Sequence, residues 1–548
     1  MQFDMKIEWL DLVVIGVFLV MCVGLSLAAG IRQRRLAGAA GYFLAGRSLT
    51  WAAIGLALFS TNISTLELVS LSQEGFKRGL LYGNTEITAP FFLIALALFF
   101  APFFIKSGVT TLPNFLEKRY SRACRYWLVV FALSYAIFGH LGFALFTGGK
   151  MVEGFFGIPL MYGMAIVLAL TGLYTVVGGL KAVVWTQAIQ TVVLLAGMMV
   201  LTAIGYYMVG GWSGFTEALA LEPERLELLR SDSGASDMTW YGLMLGFPII
   251  GIWFWCTDQT IVQRVLGAKD VDHAQIGAIF AGFIKVLALF LFVFPGIFCY
   301  ILVKNGTLPP LADSAQTLPF MVAELLPIGI RGLLAAAMLA ALMSTIAGAL
   351  NSAATVCCYD IYKQVRPDAT DKATITMGRI VTFTAMVLAI FWAPFIENFG
   401  SILEANTNML AYIAPSITAV FVWGVFWKRA SNTGALWCLA SGVIIGPLMF
   451  FLDFFKTKES LQDFFLFKLY DKIDMGFLVH SFFLFILCSA ILVIGSYLRP
   501  QVHTEESASL VWSNPMAIFK RPGWKGFGNY KFLSCLLLVI VVIIYIIF

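Results

Sequence analysis

The chain has 548 residues, of which 60% are hydrophobic, 15% aromatic and 12% charged, with a net charge of +5. Soluble domains run nearer to about 45–50% apolar and about 25% charged, so these charges are too few to cover a soluble body of this size. That composition excludes a soluble globule, a disordered chain and a secreted disulfide scaffold, and the small positive excess requires no nucleic-acid partner. A helix crossing a hydrocarbon core of about 30 Å needs roughly 20 mostly apolar residues. By that rule the sequence predicts fourteen spans, near 9–30, 51–73, 80–105, 126–149, 158–178, 183–209, 242–260, 276–303, 333–358, 376–396, 401–427, 433–453, 476–498 and 531–548. The ten-residue alternation of a membrane barrel is missing. The first run is too long for a signal-peptide core, and its charged flank follows it, so it reads as a retained helix.

Basic loops set the predicted orientation. Arg32, Arg34, Arg35 and Arg47 follow the first span. Lys106, Lys118, Arg119, Arg122 and Arg125 follow the third against one acid, Glu117. Lys428 and Arg429 follow the eleventh, and Lys520, Arg521 and Lys525 precede the last. With fourteen spans these loops share one side. The stretch 210–241, with Glu217, Glu222, Glu224, Glu227, Asp232 and Asp237 against Arg225 and Arg230, falls on the other. Both termini then face outward from a cell membrane. Most of the nine cysteines, including Cys22, Cys256, Cys299, Cys357, Cys438, Cys488 and Cys535, lie in apolar runs and read as small buried hydrophobes.

Polar groups inside a span are costly and mark function. The second span carries Ser60-Thr61-Asn62-Ile63-Ser64-Thr65-Leu66-Glu67 at its centre. Such a run either unwinds and frees carbonyls for a cation, or stays helical with its hydroxyls bonded back to the preceding turn. Glu86 is an interfacial residue or a site residue. Asp258 closes the aromatic patch Trp253 to Gln259 and reads either as a site residue or as the partner of Arg264. Lys285, far from any other charge in its run, snorkels to the boundary or faces acids. Ser344 and Thr345 sit in a small-residue helix suited to close packing. Their neutral oxygens also suit a hard cation, and they favour sodium over a titrating, proton-driven site. His140 reads as a packing group rather than a ligand. Thr407, between Asn406 and Asn408, is a helix cap or a solute contact. No Walker loop, H-E-x-x-H or G-x-S-x-G motif is present, so the chain has the signature of neither a nucleotide-driven pump nor a common hydrolase.

These residues resemble the sodium/solute symporter family, in its sodium/glucose cotransporter branch. The resemblance is carried by Trp255-Cys256-Thr257-Asp258-Gln259 with Ile261 to Arg264, by Asn62-Ile63-Ser64, and by Asn351-Ser352 through Asp360-Ile361-Tyr362. Tyr174 through Gly178-Gly179-Leu180-Lys181-Ala182-Val183, and Lys428-Arg429 with Gly434-Ala435, are similar to two signature loops of that family. The match runs in order from about residue 9 to 498.

The resemblance implies an all-α polytopic membrane protein with a LeuT-type core of two inverted five-helix repeats, 51–209 and 242–427, each opening on a discontinuous helix. An additional helix at 9–30 precedes the core, and three more lie within 433–548. It implies a sodium site of the Ser60, Ile63 and Ala341 carbonyls with the Ser344 and Thr345 hydroxyls. It implies a midplane sugar site using Asn62, Glu67, Glu86, Phe254, Trp255, Asp258, Lys285 and Thr407. Glu67 stands where relatives carry Gln or His, Thr407 where they carry Gln, and Phe254 where the mammalian glucose carriers have Tyr. Gln187 takes an Asp position linked to a second sodium in some relatives, which implies one sodium per solute. The expected function is sodium-coupled import of a sugar or polyol by alternating access. The alternatives are a sodium-coupled carrier of inositol, an amino acid or a carboxylate, and a sugar-responsive sensor or channel on the same fold.

Overall fold

A computed structural model describes residues 8–34, 38–230, 238–311, 313–398, 402–455, 476–512 and 514–548. Arg35, Asp232, Asp237 and most of the polar stretch 454–475 lie outside the described residues. Among those described, every regular element is a helix, and the one β pairing is an isolated bridge between Leu49 and Ala268. Helices satisfy their own backbone groups, which a chain in hydrocarbon requires.

Seven helices build the region of interest: α1 (Trp51–Asn62), α2 (Thr65–Arg78), α3 (Leu160–Met208), α4 (Phe247–Ile252), α5 (Gln259–Leu266), α6 (Val271–Ala288) and α7 (Ile330–Val356). Among the described residues, ten helices are long and apolar enough to cross a membrane, with two shorter apolar helices, Trp9–Leu25 and Phe247–Thr257. Helix length therefore does not establish the expected fourteen spans, and the reasons are local. The span expected at 51–73 is cut at Ile63, and its second half runs on within Glu67–Lys106. The span expected at 242–260 ends early, at Asp258. The spans expected at 158–178 and 183–209 share α3, which turns at Gly179 with φ 64°. A Cβ at Gly179 would lie 2.5 Å from the Tyr42 carbonyl oxygen, so both the backbone angle and the close approach require glycine.

The centre of the molecule is α7, in which every residue from Leu334 to Val356 is buried. Its alanines, glycines and serines let neighbouring backbones approach closely. At Gly348 an added Cβ would meet the Arg264 guanidinium at 2.5 Å and Thr61 Cγ2 at 3.4 Å, so α7 passes close to both α1 and α5.

The basic residues near the third span are partly spent on structure. Arg119, fully buried, donates to the carbonyls of Gly424 at 2.7 Å and Trp427 at 3.0 Å, at the C-terminal end of the helix Ile402–Phe426. A cation there complements the helix dipole. Arg125 and Thr111 hold Asp360 at 2.8 and 2.9 Å. On the acidic loop, Glu222 accepts from Lys304, Tyr300 and Arg225, and these bonds hold its carboxyl down at about 2. Cys22, Cys256, Cys299, Cys438 and Cys488 are buried as expected; Cys357 is half-buried, and Cys535 is exposed on the last helix.

Candidate functional site

The central polar run of the second span does break. α1 ends at Asn62, Ile63 is extended (φ −77°, ψ 101°), and α2 restarts at Thr65. Glu67 helps set the restart: its Oε2 accepts from the Ser64 backbone N–H at 2.8 Å and also from the Ser64 hydroxyl. This is one half of a capping box, a Ser followed three residues later by Glu. A second break lies at Asp258, extended with φ −78° and ψ 123°, between a π-helical turn (Trp253–Thr257) and α5. The Asp258 carboxylate caps α5 by accepting from Thr260 N–H at 3.0 Å.

Four of the five residues expected at a sodium site meet beside the first break. Ser344 Oγ lies 2.7 Å from the Ser60 carbonyl and 2.8 Å from that of Ala341, and the Ser60 hydroxyl is 3.0 Å away. Thr345 Oγ1 approaches the carbonyls of Thr61 at 3.4 Å and Ala341 at 3.5 Å. Ile63 sits at the break itself, fully buried, and its extended ψ turns its carbonyl out of the helical ladder. Every oxygen in this group is neutral, and Ser344 is fully buried. Such a donor set fits a hard monovalent cation. Gln187 of α3 completes the wall: its Nε2 donates to Thr61 Oγ1 at 3.1 Å and to the Ser344 carbonyl at 3.0 Å.

A cavity of ≈ 380 Å³, counted with its mouth, adjoins this group. It is lined by Thr61, Asn62, Ser64 and Glu67 of the broken helix, by Tyr135 and His140, by Phe254, and by Thr345 of α7. The ion-type oxygens and the solute-type side chains thus share one wall. Asn406 lines the cavity from the helix Ile402–Phe426, whereas its neighbour Thr407 does not.

Glu86 and Lys285 stand apart from it. They form an ion pair of 2.5 Å, with side chains 2% and 1% exposed. Glu86 is therefore not interfacial, and Lys285 does not snorkel. The ammonium lies 5.7 Å from the centre of the Trp255 ring and 6.0 Å from that of Phe59. Trp255 is buried against the pair rather than open to the cavity.

Asp258 takes His140, not Arg264, as its side-chain partner: His140 Nε2 lies 2.7 Å from Asp258 Oδ2. Arg264 donates instead to the Thr260 carbonyl. His140 is thus a cavity residue rather than the packing group expected from sequence. It stands in a π-helical stretch, Tyr135–Leu141, a distortion common at functional sites. Its only signal in the sequence is a histidine in mid-span beside Gly139.

The fold and these paired breaks define a LeuT-type membrane transporter. The family model described as "Sodium:solute symporter family" matches residues 42–445, and the chain belongs to that family, a family of symporters. It is 34% identical over 477 residues to sodium/glucose cotransporter 4 of Danio rerio, which covers 82% of this chain and 72% of the relative. It is 34% identical over 480 residues to sodium/myo-inositol cotransporter 2 of Oryctolagus cuniculus, covering 82% and 71%. Among solved structures, a Na+-coupled sialic acid symporter in a substrate-bound outward-open state superposes with a TM-score of 0.75 at 21% identity, covering 91% of this chain and all of that one. The chain is a multi-pass membrane protein whose coupling ion is sodium.

Proposed function

We propose that this chain is a secondary active symporter that carries a sugar or related polyol inward with sodium by alternating access, one sodium per solute. It works as a carrier and not as an enzyme. The observation that carries this reading is the shared wall: Thr61 and Thr345 belong both to the neutral oxygen cluster and to the cavity lining. An ion drawn to Ser60, Ile63, Ala341, Ser344 and Thr345 fixes the broken helix, and with it Asn62 and Glu67 on the solute side. The Glu86–Lys285 pair, with Trp255, Phe254, Asp258 and Thr407, forms the rest of the solute region once the cavity opens. The breaks at Ile63 and Asp258 support a pair of inverted repeats, 51–209 and 242–427, rocking around the site, with both termini on the outer face.

A potential of about 100 mV supplies roughly 2.3 kcal/mol per charge, and a tenfold sodium gradient about 1.4 kcal/mol more. At one-to-one coupling the sum concentrates a neutral solute on the order of 500-fold. The test is uptake into proteoliposomes under an inward sodium gradient, across D-glucose, D-mannose, myo-inositol and D-glucosamine. Accumulation that collapses with the gradient is expected. Sodium-dependent binding without accumulation would support a sensor, and accumulation of only amino acids or carboxylates would overturn the polyol reading.

A further inference from the structure

We propose that His140 is itself a solute-binding residue, accepting a hydrogen bond from a hydroxyl or amino group of the carried polyol through Nδ1. The inference rests on the polyol reading above and adds to it the chemistry of one wall of the cavity.

His140 side-chain exposure is 9%, it lines the cavity, and its one hydrogen-bond partner among the described residues is Asp258 at 2.7 Å. An ionised carboxylate only accepts, so a proton on Nε2 faces Asp258, and in the tautomer whose one ring proton is that one, Nδ1 presents a lone pair to the cavity. Nδ1 has no hydrogen-bond partner among the described residues. Tyr135 packs edge-on against the imidazole, with ring centroids 4.6 Å apart, and Phe254 lies tilted at 6.1 Å. These contacts and the Asp258 bond orient the ring.

Two neighbouring oxygens on the cavity wall are acceptors as well. Glu67 spends Oε2 on Ser64 and leaves Oε1 without a hydrogen bond among the described residues. Asn62, also on the cavity wall, has an Oδ1 with no partner among the described residues. These three acceptors match hydroxyl or amino donors. A cyclitol or hexose supplies one O–H per hydroxyl, and an amino sugar supplies more. A carboxylate or ketone offers only lone pairs and leaves these three acceptors unmatched. Sites built to bond a substrate O–H reject analogues lacking it more strongly than apolar pockets reject shape. His140 therefore contributes to discrimination, and Asp258 is its positioning residue.

The experiment takes whichever of D-glucose, D-mannose, myo-inositol and D-glucosamine the wild-type protein accumulates with sodium. It measures KM for that solute and for its series of single-position fluoro analogues, since fluorine cannot donate. In the wild type, one position is expected to lose about tenfold or more on fluorination. In His140→Leu the parent KM is expected to rise about tenfold, the penalty at that position to vanish, and the half-saturating sodium concentration to stay the same. If His140→Leu does not fold, His140→Gln carries the test: its amide oxygen restores an acceptor, so the penalty at that position is expected to return in part. A parent KM within twofold of wild type, or a fluoro penalty that persists unchanged in the variant, would overturn the proposal while leaving polyol symport intact. A wild type that accumulates none of the four solutes would overturn both.

Discussion

Ser344 Oγ sits 2.7 Å from the carbonyl of Ser60 and 3.0 Å from its hydroxyl, joining positions 284 residues apart in the chain. The contact ties α7 to the last turn of α1 just before the helix breaks. An ion bound there would pull these oxygens toward itself and so couple its own arrival to the shape of the break. Removing both hydroxyls with Ser344→Ala and Thr345→Val leaves the packing volume nearly unchanged and deletes two ligands. Sodium stimulation of uptake is expected to fall about tenfold or more, equivalent to about 1.4 kcal/mol. Normal sodium dependence in this variant would refute the assignment.

The buried pair Glu86–Lys285 makes a different prediction. Its side chains are 2% and 1% exposed, so removing one partner strands the other charge in the interior. Lys285→Ala is expected to destabilise the protein by about 3–5 kcal/mol and to cripple uptake. The double variant Glu86→Gln, Lys285→Met is expected to recover much of the thermal stability, because no lone charge remains. Thermal unfolding in detergent separates the two, and a stable Lys285→Ala with unchanged uptake would place the lysine outside the solute region.

Charges and hydroxyls in mid-span were legible because hydrocarbon leaves them so few fates. Lys285 had either to reach the boundary or to face acids, and the neutral Ser344–Thr345 pair pointed to a cation rather than a proton. The break at Ile63 was also within reach, since Ser64 and Glu67 stand at capping-box spacing. What stayed hidden depends on choices made in three dimensions. Asp258 had Arg264 six residues away, yet it bonds His140, 118 positions distant, and His140 stands in a π-helical stretch. Composition does not announce a π-turn. The span count is harder to read from helix length: non-helical Gly179 interrupts Leu160–Met208 between the spans expected at 158–178 and 183–209, so an unbroken stretch is not a count of crossings.

Gln187 predicts the stoichiometry. Its amide donates to Thr61 Oγ1 at 3.1 Å and to the Ser344 carbonyl at 3.0 Å, so a neutral group stands where the family resemblance implies a carboxylate linked to a second sodium. Radiotracer flux is expected to give one sodium per solute. Gln187→Asp puts a buried carboxylate against the Ser344 carbonyl, and a second cation relieves that repulsion; its sodium activation curve is expected to become sigmoidal. A wild-type ratio of two would contradict this use of Gln187.

Glu222 predicts an acid limb. It accepts from Lys304 at 2.5 Å and from Tyr300 at 2.8 Å, and it pairs with Arg225 at 2.5 Å, while Arg225 also reaches the Phe76 carbonyl at 3.1 Å near the end of α2. These donors hold the Glu222 carboxyl down at about 2, below the roughly 4.3 of an unfolded glutamate. A carboxylate held down in the fold favours the folded state above the unfolded value, and that contribution drains away as pH falls toward the folded one. Wild-type protein in detergent should therefore lose melting temperature between about pH 4.3 and pH 2, and Glu222→Gln should lose less over the same range while melting lower at neutral pH. Parallel acid limbs in the two proteins would show that the loop draws no stability from this charge.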